Sequence, residues 1–295
     1  MKSILFGIIV VFISADVLGA ENTNTVKAQT TRGLRSDFSN QDEMIEKLLT
    51  VSGIKNSLKK LEEQIVPNFK EDTKGDREAE EFQSQMQQIY TEAFLKDGFV
   101  NRLRDVLKEN YDERRYEHML QLLSTPLSMR MVDIESANII PEDFQNFVSR
   151  VASQPLSPDR VSLIQRMDSA THTSELFTNI AIASIESNAI AMSDDCKVDI
   201  QKIKSEVANE RPEIEKANRS SAQVMLAFTY RDVSDADLSA YLKTYEYKDS
   251  RLLQSYILLA IEEQYRSSIE KVTQGIRQLV QIRKPKKTMF APKCN

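Results

Sequence analysis

The two histidines are the side chains best suited to acid–base or metal chemistry near neutral pH. His118 follows Glu117 in a predicted helix, and His172 lies in a predicted helix junction. An imidazole has a pKa of about 6.5 and binds transition metals, but a metal site needs further ligands at matching spacing. Neither histidine has a second His or Cys at such a spacing. The sequence therefore predicts no metal site and no cofactor.

Nucleophilic catalysis has only one weak sequence signal. A Ser-x-x-Lys spacing suits a serine hydrolase that uses lysine as its base, but it needs a Lys-Thr-Gly element that this chain lacks. Residues three apart on a helix are also ordinary surface neighbours. A Gly-x-Ser-x-Gly turn and a phosphate-binding glycine loop are absent too. The pattern occurs three times, at Ser52/Lys55, Ser57/Lys60 and Ser268/Lys271.

Adjacent acids do not form a convincing catalytic pair either. Glu62-Glu63 and Glu262-Glu263 are examples, and neighbouring side chains on a helix diverge by about 100°. We therefore expect solvated helix faces at these positions. The sequence favours a protein that is not an enzyme, and the alternative is a hydrolase whose site assembles only on folding.

The cysteines, Cys196 and Cys294, are the candidates for a covalent link. An even number of cysteines in an exported protein favours a disulfide. This bond would close a loop of about 100 residues, which is worth up to about 4.7 kcal/mol in the chain-entropy model. The alternative is two unpaired thiols. The Cys-x-x-Cys spacing of redox-active pairs is absent.

The start of the chain indicates the compartment. Lys2 precedes a ten-residue apolar run, Ile4 to Ile13, and small residues follow at Gly19 and Ala20. A membrane-spanning helix needs about 20 apolar residues, and Asp16 interrupts this run. We predict a signal peptide over residues 1–20 that is cleaved near Gly19 or Ala20, an uncleaved anchor being the alternative. The mature protein would be periplasmic or secreted, without an integral membrane span. Residues 21–40, polar and aperiodic, predict a flexible linker.

From Gln41 onward the apolar residues recur with a helical period, and Asn40 is the predicted N-cap of the first helix. Pro212 predicts a break or kink in the charged helix that contains it. The chain has seven glycines, too few for the many tight turns of most sheet proteins. Pro126, Pro141 and Pro158 predict helix starts, as does Ser234 three residues before Asp237. We expect Leu176 to Met192 to form a buried central helix and residues 250–282 to form a long final one. The predicted fold is an all-α multi-helix bundle.

Two segments of the chain align with an offset of 122 residues, which predicts two tandem helical repeats over residues 41–155 and 156–282. The alternative is the general likeness of any two amphipathic helix pairs. Residues 283–295 would form a basic tail that touches anionic lipid or an acidic partner, or that only complements the helix dipole. The aligned residues are Tyr116, Met119, Leu120, Leu123, Ser128, Met131 and Ile134 with Leu238, Tyr241, Leu242, Tyr245, Ser250, Leu253 and Tyr256.

The segment Leu123 to Arg130, LSTPLSMR, resembles an aromatic-Tyr-x-Ser-Pro-x-Gly-x-Lys/Arg element. That element belongs to a bacterial family of exported all-helical proteins catalogued only as a domain of unknown function. Ser128 stands where glycine is usual, and Leu123 where an aromatic residue is. The stretches 160–192 and 228–245 are similar in character to the same family. The resemblance implies a helical fold and an exported protein, but no activity.

The formal net charge of −5 gives no basic surface for nucleic acid. We therefore expect an exported helical module that binds an unknown protein or small ligand, with a groove between helices as its working surface. The alternatives are the hydrolase and a peripheral envelope protein held by the basic tail.

Overall fold

A computed structural model describes residues 38–66, 77–95, 98–192 and 199–283. Within these residues the chain is helical and has no strand, which confirms the predicted all-α multi-helix fold. The predicted signal peptide, most of the predicted linker, both cysteines and residues 284–295 lie outside the described residues.

The described helices follow one another with short connections. In chain order they are α1 Phe38–Val51, α2 Ile54–Ile65, α3 Arg77–Phe94, α4 Phe99–Glu109, α5 Glu113–Leu123, α6 Pro126–Glu135, α7 Pro141–Ser153, α8 Pro158–Thr171, α9 Thr173–Met192, α10 Ile200–Thr229, α11 Asp235–Glu246 and α12 Lys248–Arg283.

The predicted helix starts are confirmed. Thr125 and Ser157 accept a hydrogen bond from the backbone N–H three residues on, and a proline follows each of them at the first helical position. Ser234 accepts likewise from the N–H of Asp237. Pro141 also opens a helix, although Ile140 before it offers no side-chain cap. These side chains satisfy N–H groups that have no partner within the helix.

The first core lies between α1, α2, the end of α3, α4, α5 and the long helix α12. Leu48, Leu103 and Phe94 are fully buried in it, and Tyr265 of α12 lies 5.5 Å from the ring of Phe94. Gly53 turns α1 into α2 with a positive φ of 70°. A side chain there would meet Val132 of α6, because an added Cβ would lie 2.5 Å from its Cγ1 atom.

The second core lies between α6, α7, α8, α11 and the end of α10. Phe228 lies near its centre, and the rings of Phe144 and Phe147 on α7 meet it edge-on at 5.2 and 5.5 Å. Leu238 and Tyr241 of α11 are fully buried in the same cluster.

Three details differ from the sequence predictions. Helix α1 begins at Phe38, so Asn40 lies inside it instead of capping it. Helix α9 was predicted to be buried, yet most of its residues are half-exposed between α10 and α12. Helix α10 continues through the exposed Pro212, where a break or kink was predicted, without a break. Among the described residues, no helix combines the length and the apolar character needed to cross a membrane.

Helix starts and helix caps in the structure keep the 122-residue offset, while the two tandem repeats stay a prediction. Helices α5 and α11 begin 122 residues apart, as do α6 and α12, and the caps Asp112 and Ser234 keep the same offset. Six of the seven aligned pairs share a burial class, Ser128 and Ser250 being the exception.

Candidate functional site

His118 pairs with an acid from the other half of the chain. Its Nδ1 atom lies 2.7 Å from a carboxylate oxygen of Asp249, at the start of α12. The ring of Tyr247 meets the imidazole edge-on at 5.8 Å. An aspartate that orients a partly exposed imidazole is a familiar general-base arrangement. The pair is therefore the strongest acid–base candidate in the described part of the chain.

His172 has a separate acid partner, Glu175, 2.8 Å from its Nδ1 atom. It ends α8 with a φ of 56°, the one positive φ of a non-glycine residue in the described chain. In the same connection, the carboxylate of Asp168 accepts a hydrogen bond from the backbone N–H of Ser174. His172 thus belongs to the connection between α8 and α9, and the two histidines do not share a hydrogen-bond partner.

Four side chains of the Ser-x-x-Lys patterns bond to groups outside their own pattern. Ser57 donates to the carbonyl oxygen of Gly53, one turn back, while Lys60 donates to the carbonyl oxygen of Ser136 beyond α6. Lys55 instead forms a salt bridge with Glu46 at 2.9 Å. Ser268 donates to the carbonyl oxygen of Ala93 and so joins α12 to α3. These side chains connect helices, and no catalytic pairing follows from them.

The predicted disulfide between Cys196 and Cys294 lies outside the described residues and stays a prediction. So does the predicted role of the basic tail. Among the residues that the structure describes, no group of three His, Cys, Asp or Glu side chains converges at metal-binding distance.

A buried cluster of tyrosines surrounds Glu135, a feature that the sequence analysis missed. Tyr230 donates its hydroxyl to the Glu135 carboxylate at 2.6 Å, and the hydroxyls of Tyr241 and Tyr245 lie 3.0 Å apart. Burial raises the pKa of Glu135, against the hydrogen bonds from Tyr230 and Tyr241 that lower it. Burial keeps the pKa of Tyr241 well above its usual range, and the charges of Tyr245 and of the Glu135 carboxylate raise it further. The cluster ties α6 to α10 and α11.

Arg160 fixes the connection between α10 and α11. Its buried guanidinium donates to the carbonyl oxygens of Tyr230 and Val233 and forms a salt bridge with Asp235 at 2.8 Å. Three acceptors satisfy a cation that would be costly to bury alone.

In the first half, neutral side chains donate to the two acceptors that correspond, at the offset of 122 residues, to the Tyr230 carbonyl oxygen and the Asp235 carboxylate. Gln41 donates to the carbonyl oxygen of Lys108, which is 122 residues before Tyr230. Asn40 donates to Glu113, which is 122 residues before Asp235. Arg160 therefore has a structural role that the first half performs differently.

Cavities in the described chain are small or open. One of about 10 Å³ lies between α5, α11 and α12 beside Met119, Thr244 and Gln254, which is room for about one water molecule. A shallow concavity of about 340 Å³ follows the outer face of α10 beside Pro212 and Arg219.

The most distinctive surface is one side of α7. Five residues of α7 at helical spacing form one face of the helix, and Ile140 directly before the helix extends that face. None of these six residues is charged. Ile140 is 57% exposed and Val148 40% exposed. Phe144 is half-buried because its ring packs on Phe228. We call this surface the α7 edge; its residues are Ile140, Pro141, Phe144, Gln145, Val148 and Ala152.

The sequence could not identify the α7 edge. Its periodicity predicts that α7 has an apolar face, but only the packing shows how much of that face is covered. Phe147, on the same helix, is 4% exposed, whereas Val148 next to it is not covered.

Comparisons of the chain with protein-family models, with curated proteins and with solved structures found no match. The resemblance to the exported helical family therefore stays a prediction.

Proposed function

We propose that this protein is an exported, periplasmic or secreted, helical interaction module that binds another protein through the α7 edge. The observation that carries the proposal is the uncovered apolar surface between Ile140 and Ala152. Apolar side chains that are exposed along one face of a helix are candidates for a binding surface.

Exposed apolar residues are concentrated around this helix. The described chain has nine large apolar side chains that are well exposed, and five of them lie between residues 129 and 161. They are Met129, Ile139, Ile140, Val148 and Val161. Because these residues occupy about 30 positions of a much longer chain, the part of the chain around α7 is the better candidate for a binding surface.

The first experiment tests contact in the native compartment. A photocrosslinking amino acid is placed at Val148 and, as a matched control, at Leu259 of α12, which is 43% exposed. We expect a discrete protein adduct from position 148 and none from position 259. Equal labelling at both positions, or none at either, would contradict the proposal.

Export is tested separately. The N-terminal sequence of the protein purified from its producing cells should begin near Glu21, as predicted from the small residues at Gly19 and Ala20. An intact Met1 on a cytosolic product would contradict this part of the proposal.

A second candidate function, a hydrolase, is supported by the 2.7 Å contact between His118 and Asp249. The measurement is turnover of a panel of chromogenic esters and amides by the full chain, its His118→Gln variant and its His172→Gln variant. A hydrolase centred on His118 requires turnover that H118Q removes and H172Q retains. Equal rates for all three proteins would reject it.

A further inference from the structure

We propose that the proton on the Glu135 carboxyl group controls how firmly helix α7 is held on the second core. With the carboxyl group protonated, α7 stays packed on the end of α10. With the carboxyl group ionised, α7 separates from it more readily. This device belongs to the fold itself and does not depend on what binds the α7 edge.

Helix α7 is attached to the second core through few side chains. The ring of Phe147 is buried and that of Phe144 half-buried, both against Phe228 near the end of α10. Val151 is also half-buried in the second core, and the other residues of α7 are exposed. Elements with few buried apolar contacts open at a lower free energy than the rest of a fold. Release of α7 therefore uncovers only a few apolar side chains.

Glu135 anchors the chain just before α7. It is the last residue of α6, and the connection to α7 begins at the next residue. Its carboxylate accepts the hydrogen bond from Tyr230 at 2.6 Å, and Tyr230 lies two residues after Phe228. One short stretch at the end of α10 thus holds both the end of α6 and the rings of α7. Loss of the bond between Glu135 and Tyr230 would loosen α7 at its own site of attachment.

The hydroxyl groups of three tyrosines surround the Glu135 carboxylate. Tyr230 comes from the end of α10, and Tyr241 and Tyr245 come from α11. Burial raises the pKa of Glu135, and the hydrogen bonds from Tyr230 and Tyr241 lower it by less than burial raises it. The packed second core therefore favours the protonated form.

The charged groups on the neighbouring elements are engaged elsewhere. Lys60 of α2 donates to two oxygens in the connection after α6, and Arg160 of α8 donates to the connection between α10 and α11. Arg231, at the end of α10, lies over the ring of a phenylalanine at 4.1 Å. Helix α5 meets α6 at its opposite end, and Glu142 and Asp143 of α7 are exposed. The buried carboxylate is thus held by hydroxyl groups and, within the described chain, by no salt bridge.

The direction of the effect follows from the burial of this carboxyl group. A buried carboxylate without a cation costs free energy, which is recovered when opening lets water reach it. Because the pKa of Glu135 is raised in the packed state, packing is favoured at acid pH and loses that advantage as pH rises through the raised pKa. A rise in pH therefore releases α7, and a fall in pH holds it.

Hydrogen exchange of the full chain, followed by mass spectrometry and expressed as protection factors at about pH 5 and about pH 8, tests the proposal. We expect the α7 amides to be protected severalfold less at the higher pH, and those of α8 to change less. Glu135→Gln keeps an acceptor for Tyr230 and cannot ionise, so α7 should be protected equally at both pH values. Glu142→Gln, at an exposed site on α7 itself, is the matched control and should keep the pH dependence of the parent protein.

Tyr230→Phe tests the bond from the other side. The ionised carboxylate loses a donor in this variant, so the protection of α7 at about pH 8 should fall below that of the parent protein.

Three results would overturn the inference. The first is equal protection of α7 at the two pH values in the parent protein, and the second is an unchanged pH dependence in Glu135→Gln. The third is an equal change in α7 and α8, which would mean that Glu135 acts on the stability of the whole core instead of on the attachment of α7. The proposed binding by the α7 edge is measured by crosslinking and stands or falls separately.

Discussion

Tyr230 donates its hydroxyl to Glu135 at 2.6 Å, across 95 residues of sequence. This bond joins the end of α10 to the end of α6, beside the helix that carries the proposed binding surface. It also makes Glu135 the carboxyl group whose ionisation should matter most for the stability of the second core, since burial raises its pKa.

The sign of the pH effect follows from that shift. A raised pKa means that the folded chain binds the Glu135 proton more tightly than the unfolded chain does. The advantage is complete at pH values below about 4.5, the ordinary pKa of a glutamate side chain, and is lost as pH rises through the higher pKa of the folded state. Ionised Glu135 therefore destabilises the fold at neutral pH.

Glu135→Gln should remove this cost, because the amide oxygen still accepts the bond from Tyr230. We expect E135Q to exceed the parent protein in unfolding free energy by up to about 1 kcal/mol at pH 7 and to lose that advantage near pH 4. Urea denaturation at the two pH values measures it. Glu142→Gln, at an exposed site on α7, is the matched control, and a constant difference between E135Q and parent at both pH values would refute the assignment.

Arg160→Met should destabilise the protein by about 3 kcal/mol. The substitution leaves the carbonyl oxygens of Tyr230 and Val233 without their donor inside the second core. Arg166→Met is the control, since the exposed pair of Arg166 with Glu246 is worth less than about 1 kcal/mol. Chemical denaturation compares the two, and similar losses for both would contradict the role given to Arg160.

His172→Gly should stabilise the connection between α8 and α9. A non-glycine residue at a φ of 56° carries a strain of about 1 kcal/mol that glycine avoids. Loss of the exposed bond to Glu175 offsets part of the gain. A rise in melting temperature of a few degrees is the expected result, and a fall would show that the histidine ring contributes more than its backbone strain costs.

Gly53→Ala tests the opposite case. Gly53 has a φ of 70°, and an added Cβ would lie 2.5 Å from Val132, so both strain and a clash oppose the new methyl group. We expect a loss of at least about 1 kcal/mol in unfolding free energy. The double variant Gly53→Ala/Val132→Ala should recover part of it. A neutral single variant would show that the corner between α1 and α2 relaxes freely.

Much of the fold could be predicted because it depends on local chemistry. Thr125, Ser157 and Ser234 start helices through bonds to their own next turn, and proline acts at the adjacent position. Such signals need no knowledge of tertiary packing. The 122-residue offset was visible for the same reason, since caps and apolar stripes recur in the sequence.

Long-range contacts were not predictable in this way. Asn40 was expected to cap a helix, but its side chain bonds to Glu113, 73 residues away. Nothing in the local sequence links Arg160 to Tyr230 or Glu135 to its tyrosines. The uncovered side of α7 depends on which helices pack beside it, and periodicity alone cannot determine that.

Binding of another protein by the α7 edge is measured most simply as the crosslinking yield at Val148 compared with Leu259 in the native compartment. We expect a discrete adduct at position 148, abolished by Ile140→Asp, and no adduct at position 259. An adduct at position 259 alone, or a position-148 adduct that persists undiminished in I140D, would contradict it.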